Sequence, residues 1–392
     1  MGNTFSDIVK NNEKKWGLTE SMLTSVDRSR GDKIPFSSPM MNYATYGGIP
    51  RYKITEFFGD PGGGKSTTAV DICKNACNVF EAEHQRLIEK LSKEIQLGNK
   101  TAKIQLEDVK ESGRQKILYV DMEHAFDVKW CKVIGLDREQ IEILQPPDAP
   151  GEDILNMILD IIETGELGLI VLDSIPSLVP KAELEKKLGE RTVSALAGLM
   201  TTFMRKVVPL LTRYNCTLIL INQIRDNMDN PYVVNTPGGR AVKFYSSLRI
   251  YFRLGTPIDF LGNELPQKEE NPAGYIVNAK LAKQKTAPFD RKLGTYYLLT
   301  TSGIRPDFDY ANLAIKKYGL IKKSGAWYTV CDPDTKEILE VDNKPVKLNG
   351  LAKVYEFLEQ DNAYFTKLKT FINNDINGVS EGSEKSSSGD LV

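Results

Sequence analysis

Short apolar runs alternate with helix-period stretches through the middle of the chain. The runs Ile54–Gly59, Ile117–Asp121, Ile141–Gln145, Leu167–Asp173 and Thr217–Asn222 read as strands. They are nearly continuous in apolar residues, the pattern of parallel strands covered on both faces. Between them apolar residues return at helical spacing over Gly64–Phe80, Asp127–Ile134, Glu152–Glu163 and Thr192–Tyr214. This alternation predicts an α/β fold with a central, mostly parallel sheet flanked by helices. The stretches Leu248–Leu254, Tyr275–Ala282 and Thr295–Thr300 follow without long helices between them and are expected to extend the sheet in mixed fashion.

Residues 81–116 interrupt the alternation. Phe80, Leu87, Leu91 and Ile95 recur at helical spacing, Gly98 and Asn99 break the pattern, and Ile104, Leu106 and Val109 resume it. Acidic residues number 7 in this stretch and basic residues 8, so it reads as a solvated helical hairpin and not as a binding arm. Beyond about Pro306 the pattern shifts to a small α+β unit, with helical periods near Asp309–Tyr318 and Leu351–Asn373. The Ser-rich stretch 380–392 has the composition of a disordered tail. The expected division is 1–46 as an N-terminal helix and linker, 47–305 as the core, 306–379 as the C-terminal domain and 380–392 as the tail.

The chain has 392 residues, with 51 Lys+Arg against 52 Asp+Glu. A net charge of −1 excludes a protein that coats polyanions by bulk charge, so phosphate or nucleic-acid binding must be local. Only His84 and His124 are present, which excludes a multi-histidine metal centre. The cysteines Cys73, Cys77, Cys131, Cys216 and Cys331 form no CxxC pair. Cys73 and Cys77 fall on one helix face as small core residues. No apolar run approaches a membrane span, and a reducing, cytoplasmic setting with no secretion is expected.

The chemistry begins at Gly59-Asp60-Pro61-Gly62-Gly63-Gly64-Lys65-Ser66, which matches G-x-x-x-x-G-K-[ST] between a predicted strand and a predicted helix. Its glycines let backbone N–H groups and the helix N-terminus face a β-phosphate. Lys65 is placed to reach the β- and γ-phosphates, and the Ser66 hydroxyl to ligate Mg²⁺. Asp173, ending a buried strand, is placed to supply the carboxylate that holds the metal through water, with a helix-capping aspartate beside Ser174 and Pro176 as the alternative. Glu123, just past the strand 117–121, is the candidate to activate water. Asn222 and Gln223 offer neutral polar groups at the γ-phosphate position.

Taken together, GDPGGGKSTT, YVDMEHAFD, LIVLDSIPSLVPKAELE, LILINQIR, TPGGRAVKFYSSLRI, KLAKQKTAPF and KKSGAWY resemble the RecA-type DNA strand-exchange recombinases over about 47–328. The form resembled is a bacteriophage one like the UvsX recombinases. The resemblance implies a RecA-like P-loop NTPase core with an N-terminal oligomerisation segment and a small α+β C-terminal domain. It implies an ATP- and Mg²⁺-dependent enzyme that filaments on single-stranded DNA, pairs it with homologous duplex DNA and hydrolyses ATP in response to DNA. A homo-oligomeric helical filament is the expected assembly, with a mediator or single-strand binding protein as a further partner and no membrane. A ring-shaped helicase or motor on the same core, and a filament scaffold with little turnover, are the rival classes.

The resemblance also assigns residues. Glu123 becomes the catalytic carboxylate and Gln223 the γ-phosphate sensor, with Lys65, Ser66 and Thr67 at the phosphates. Asp127 and Trp130 fall where the family contacts adenine. Lys283 and Lys285 match paired lysines that reach the ATP of a neighbouring subunit, and Lys243, Phe244 and Arg249 match an interface segment. Two DNA loops are implied, about 183–193 with Lys186, Lys187 and Arg191, and about 224–240 with Arg225, Tyr232, Gly238, Gly239 and Arg240. Arg205 also falls at a DNA-contacting position. Gly198 stands where the family usually has an arginine, and Thr300 where it has an aromatic beside the adenine.

Overall fold

The computed structural model describes Lys15 and residues 33–187, 194–225, 235–360 and 362–378. It opens with β1 (Lys33–Ile34), α1 (Pro39–Thr45) and β2 (Ile49–Pro50). Then come β3 (Ile54–Gly59), α2 (Lys65–Gln96), α3 (Lys100–Ser112), β4 (Lys116–Asp121), α4 (Val128–Ile134) and β5 (Glu142–Leu144). The alternation continues through α5 (Gly151–Glu163), β6 (Leu167–Asp173), a short α6 (Lys181–Leu184), α7 (Ala195–Arg213), β7 (Thr217–Gln223) and α8 (Gly239–Tyr245). Strands β8 (Leu248–Ile258), β9 (Gly274–Gln284), β10 (Leu293–Leu299) and β11 (Gly303–Ile304) follow.

These strands form a nine-stranded sheet in the order β11-β10-β9-β8-β3-β7-β6-β4-β5. Strand β3 pairs in parallel with β7 and β8, while β6 joins β7 to β4, again in parallel. Antiparallel pairing of β10 with β11 makes the sheet mixed, as the pattern led one to expect. By contacts the chain forms two compact units that interleave in sequence. One runs up to Phe36 and includes Gly48–Leu254 and Ala279–Lys292; the other comprises Ser37–Gly47, Gly255–Asn278 and the chain from Leu293 onward.

In the first unit the core is built from complementary stripes. Helix α5 buries Ile154, Leu155, Ile158, Leu159 and Ile162, and α7 buries Met200, Phe203, Met204, Val207 and Leu211. Both join the cluster that includes Leu118, Val120, Ile170, Leu172, Leu218 and Leu220 from β4, β6 and β7. Each such side chain contributes about 1.5–3 kcal/mol on burial, which holds the strand ends in fixed register. All five cysteines are free and buried, with Cys73 and Cys77 in the core face of α2 as their spacing implied.

Two helical expectations need correction. The helix expected to end at Phe80 runs unbroken to Gln96, so the 81–116 hairpin is the far half of α2 folded against α3. No glycine or proline interrupts the chain between Lys65 and Gln96, and Asn99 caps α3 by accepting from Thr101 and Ala102 N–H. Leu91 and Ala102 are buried, while Leu87 and Ile104 are exposed, so only part of the periodic apolar set is core. Near the C-terminus the period over 351–373 forms two helices, α10 (Leu351–Gln360) and α11 (Asn362–Ile376).

The second unit also holds α9 (Pro306–Leu313) and the sheet β12 (Ile321–Ser324), β13 (Trp327–Val330) and β16 (Lys347–Asn349). A hairpin of β14 (Glu340–Val341) and β15 (Lys344–Pro345) turns through Asp342 and Asn343, both at positive φ. Two consecutive left-handed residues give the turn whose twist suits a tight hairpin.

Candidate nucleotide site

Parallel pairing places the chemistry. Gly59 stands beside Gln223 on one side and Phe252 on the other, and Asp121 stands beside Asp173. Gly59, Gln223, Asp121 and Asp173 are the last residues of their strands, at the carboxyl edge where an open parallel sheet gathers its ligand groups. A cavity of about 110 Å³ opens there, lined by Ser66, Thr67, Tyr119, Glu123, Trp130 and Asp173 among others.

The loop from Gly59 to Gly64 curls through left-handed glycines, Gly62 at φ 71° and Gly64 at φ 93°. Gly64 begins α2 without a side-chain cap, so the N–H groups of the first turn face the loop unsatisfied by any side chain. This is the arrangement a phosphate fits. Asp60 and Pro61 form the crest of the loop, and Gly63 N–H closes back on Asp60 O at 3.2 Å. A Cβ on Gly59 would sit 2.0 Å from Phe252 O. Gly59→Ala is therefore expected to weaken nucleotide binding by about 3 kcal/mol, roughly 100-fold, because the loop must leave β8. Equilibrium titration with a fluorescent ATP analogue measures this.

Lys65 Nζ donates to Gly59 O at 3.1 Å and Asp60 O at 2.6 Å. Burial lowers its pKa, while the Asp173, Glu123 and Asp60 carboxylates act to raise it. Ser66 Oγ donates to Asp173 Oδ2 at 2.8 Å, and the buried Tyr119 hydroxyl donates to the same oxygen at 2.6 Å. Burial raises the Asp173 pKa, and these two hydrogen bonds work in the other direction. A hydroxyl and a carboxylate side by side are hard oxygen donors of the kind magnesium takes together with nucleotide phosphates. Among the described residues no cluster of three or more His, Cys, Asp and Glu forms a metal cage.

Glu123 is exposed and is fixed from two sides. Its Oε1 accepts from Ser174 Oγ at 2.5 Å and from Gln223 Nε2 at 3.1 Å, so the structure joins the water-activating candidate to the sensor candidate. Neither Ser174 nor Asp121 was singled out from sequence. Asp121 is buried and accepts from the N–H groups of Glu123 (3.2 Å), Ala125 (3.3 Å) and Phe126 (2.9 Å) and from Gln145 Nε2 (2.8 Å). It shapes the turn that carries Glu123. Its signal was available: Asp121 ends β4 as Asp173 ends β6.

Asp127 caps α4, its Oδ1 accepting from Lys129 N (2.8 Å) and Trp130 N (3.1 Å). Trp130 Nε1 donates to Thr67 Oγ1 at 3.1 Å, which holds the indole over the start of α2. Thr300 Oγ1 donates to Ala273 O at 2.9 Å. Asn222 departs from its expected place. Strand alternation turns it away from Gln223, and it is fully buried against Glu56 and Pro237.

Lys283 and Lys285 are not at the P-loop of their own chain. Lys283 Nζ donates to Lys243 O (2.6 Å) and Phe244 O (2.8 Å), and Lys285 Nζ to Phe244 O (3.2 Å). They cap the carboxyl end of α8, where cations are favoured. Phe244 is 68% exposed beneath Lys285, whose ammonium lies 5.2 Å from the ring centroid. Arg249 pairs with the buried Glu56 and lies over the Phe58 ring. Burial lowers the Lys243 pKa.

Of the DNA-loop candidates, Lys186, Lys187, Arg205, Arg225 and Arg240 are exposed, and Gly238 and Gly239 open α8 at φ 83° and 75°. A Cβ on Gly239 would meet Ala197 Cβ at 2.9 Å, so α8 sits close against α7. The candidate gap at Gly198 has open space around it. Arg191 and Tyr232 lie outside the described residues.

The fold and site define a P-loop nucleotide-binding protein of the parallel α/β class. A family model, the RecA N-terminal domain, matches residues 83–305, a span that begins after the P-loop. The chain is 32% identical to Protein RecA of Thermus aquaticus over 333 residues, 83% of this chain and 84% of the relative. Protein RecA of Aquifex aeolicus is 33% identical over 330 residues, covering 83% and 82%. For Protein RecA of Ruminococcus albus the figure is 30% over 395 residues, covering 96% and 87%. The chain belongs to the RecA family of ATP-dependent DNA recombinases. No helix among the described residues is long and apolar enough to cross a membrane.

Proposed function

We propose that this chain hydrolyses ATP at the β3–β4–β6–β7 edge to control a filament on single-stranded DNA, and that the filament pairs this DNA with a homologous duplex. The hydrogen bond from Gln223 Nε2 to Glu123 Oε1 carries the reading, because it links the group that would take a water's proton to the strand that leads into a DNA loop. The P-loop N–H groups and Lys65 bind the β- and γ-phosphates. Magnesium, when bound through Ser66 and, by way of water, Asp173, supplies charge neutralisation on the phosphate oxygens. Glu123 orients water for in-line attack on the γ-phosphorus and takes its proton as the bond to the β-phosphate oxygen breaks. Ser174 and the Asp121-anchored turn keep that carboxylate aimed. Trp130, held by Thr67, is positioned to stack on the adenine, with Asp127 setting its helix.

Lys283 and Lys285 complete the site of the next protomer, and Lys243, Phe244 and Arg249 form the contact that carries them. A cavity of about 390 Å³ opens beside Phe244 and Lys285 and reaches Lys53 and Leu211. DNA phosphates are held by Lys186, Lys187, Arg191, Arg205, Arg225 and Arg240 and by the amides at Gly238 and Gly239, with Tyr232 wedging between bases. The N-terminal segment packs protomer on protomer, and a mediator or single-strand binding protein assists loading.

The direct test is strand exchange between circular single-stranded DNA and homologous linear duplex, with filaments viewed by electron microscopy. ATP-dependent joint molecules on helical filaments are the expected result. Closed rings without pairing would replace this reading with a motor.

A pH dependence follows. Burial, with help from neighbouring Lys285, lowers the Lys283 pKa to about 8. Contact with a neighbour's nucleotide phosphates would raise it again, so the assembled state binds more protons than the free protomer above pH 8. Linkage then weakens assembly as pH rises through about 8 and leaves it unaffected well below. Light scattering of ATP-driven assembly across pH 7 to 9.5 measures this, and Lys283→Arg should flatten the alkaline limb.

A further inference from the structure

Two buried polar side chains take no part in the mechanism above, Asn222 and Glu56, both at 0% exposure. Asn222 engages both amide hydrogens and its carbonyl oxygen at one junction. Its Oδ1 accepts from Gln223 N–H at 3.0 Å, and its Nδ2 donates to Glu56 Oε1 at 2.9 Å and to Pro237 O at 3.0 Å. Glu56 in turn accepts from Arg249 Nε through its other oxygen. Nearby, Arg225 N–H donates to Asn235 O at 2.8 Å, closing the two roots of the same segment.

This amide stands between two things the proposed function keeps apart. On one side is Gln223, bonded to Glu123. On the other is Pro237, which leads through Gly238 and Gly239 into α8, whose last carbonyls hold Lys283 and Lys285. A buried amide with both donors and its oxygen engaged has few alternative positions, because rotation leaves a polar group unpaired at about 1–3 kcal/mol. Movement of Gln223 must therefore move Pro237 with it, or break the clasp.

We infer that Asn222 is a positioning residue that couples the sensor Gln223 to the root of α8 and to the Glu56–Arg249 pair, so that nucleotide state reaches DNA-binding and interface groups through this side chain. The inference rests on the proposed assignment of Gln223. The coupling is mechanical and needs no contact between Asn222 and nucleotide, DNA or metal.

The test uses the full-length protein and compares ATP turnover with and without single-stranded DNA for native, Asn222→Ala and Glu56→Gln forms. Expected for Asn222→Ala is a fall in the DNA-stimulation ratio of about 10-fold or more, with KM for ATP and DNA-free turnover within about threefold of native. Glu56→Gln keeps an acceptor for Asn222 and should keep the ratio, which separates the clasp from the ion pair. A native ratio in Asn222→Ala would overturn the inference. A second measurement requires neither variant nor DNA: hydrogen exchange of native protein with and without a non-hydrolysable ATP analogue. Slower exchange across 235–245 on adding the analogue supports the coupling, and unchanged exchange there overturns it. If the native protein shows no DNA stimulation, the recombinase mechanism fails, while the exchange experiment still decides the coupling.

Discussion

Glu123→Gln is expected to lower ATP turnover by about 10²–10⁴-fold, the usual contribution of a positioned base. The substitution keeps size and keeps an Oε1 acceptor for Ser174 and Gln223, so the hydrogen bonds at 2.5 and 3.1 Å can persist. What it removes is the capacity to take a proton. Binding should survive, because the proposed mechanism leaves phosphate recognition to the P-loop amides, Lys65 and Ser66. Filaments should then form and outlast those of the native protein, since the γ-phosphate stays in place. Turnover by phosphate release and filament lifetime by light scattering check both halves. A variant that hydrolyses at the native rate would remove Glu123 from the mechanism.

The lysine pair is the second large effect. Lys283→Ala with Lys285→Ala is expected to cut turnover about 10³-fold, the lower range for a cation supplied in trans to a phosphoryl group. The geometry motivates this: both ammonium groups bond the end of α8, among the described residues neither bonds the P-loop, and Phe244 beside them is exposed. Mixing gives a sharper outcome. Combine protomers carrying Lys65→Ala with protomers carrying both lysine substitutions, each inactive alone. In a head-to-tail filament at equal amounts, about a quarter of the junctions join an intact P-loop to intact lysines. Turnover should return to about that fraction of native. No recovery would place the lysines outside the neighbour's site.

Much of this was legible in the sequence because the sheet's inner strands are apolar from end to end. The run over 167–173 and the one over 54–59 are bounded correctly by their own residues, and each ends at the lining of the candidate site. What escaped were polar residues inside such runs. Glu56 reads as an interruption of a strand, yet it is the buried partner of Arg249 and Asn222. In a strand buried on both faces, hydrophobicity gives no sign of which way a side chain points, so Asn222 and Gln223 look equivalent. The pleat separates them. Tyr119 and Ser174 were hidden for a related reason: each matters through a hydrogen bond to a residue distant in sequence, at 2.6 Å to Asp173 and 2.5 Å to Glu123. The extent of α2 was misjudged because polarity changes at Phe80 while helix propensity does not. Asp127 illustrates a double reading, since the residue that resemblance sets near the adenine is also the N-cap of α4.

The measurement that tests the central claim most directly is the rate of ATP hydrolysis by the native protein with and without single-stranded DNA. At least a 10-fold stimulation is expected, because Gln223 is bonded to Glu123 and, in the proposed mechanism, leads into a DNA-binding loop. Equal rates under both conditions would contradict it, since the nucleotide site would then work without reference to DNA.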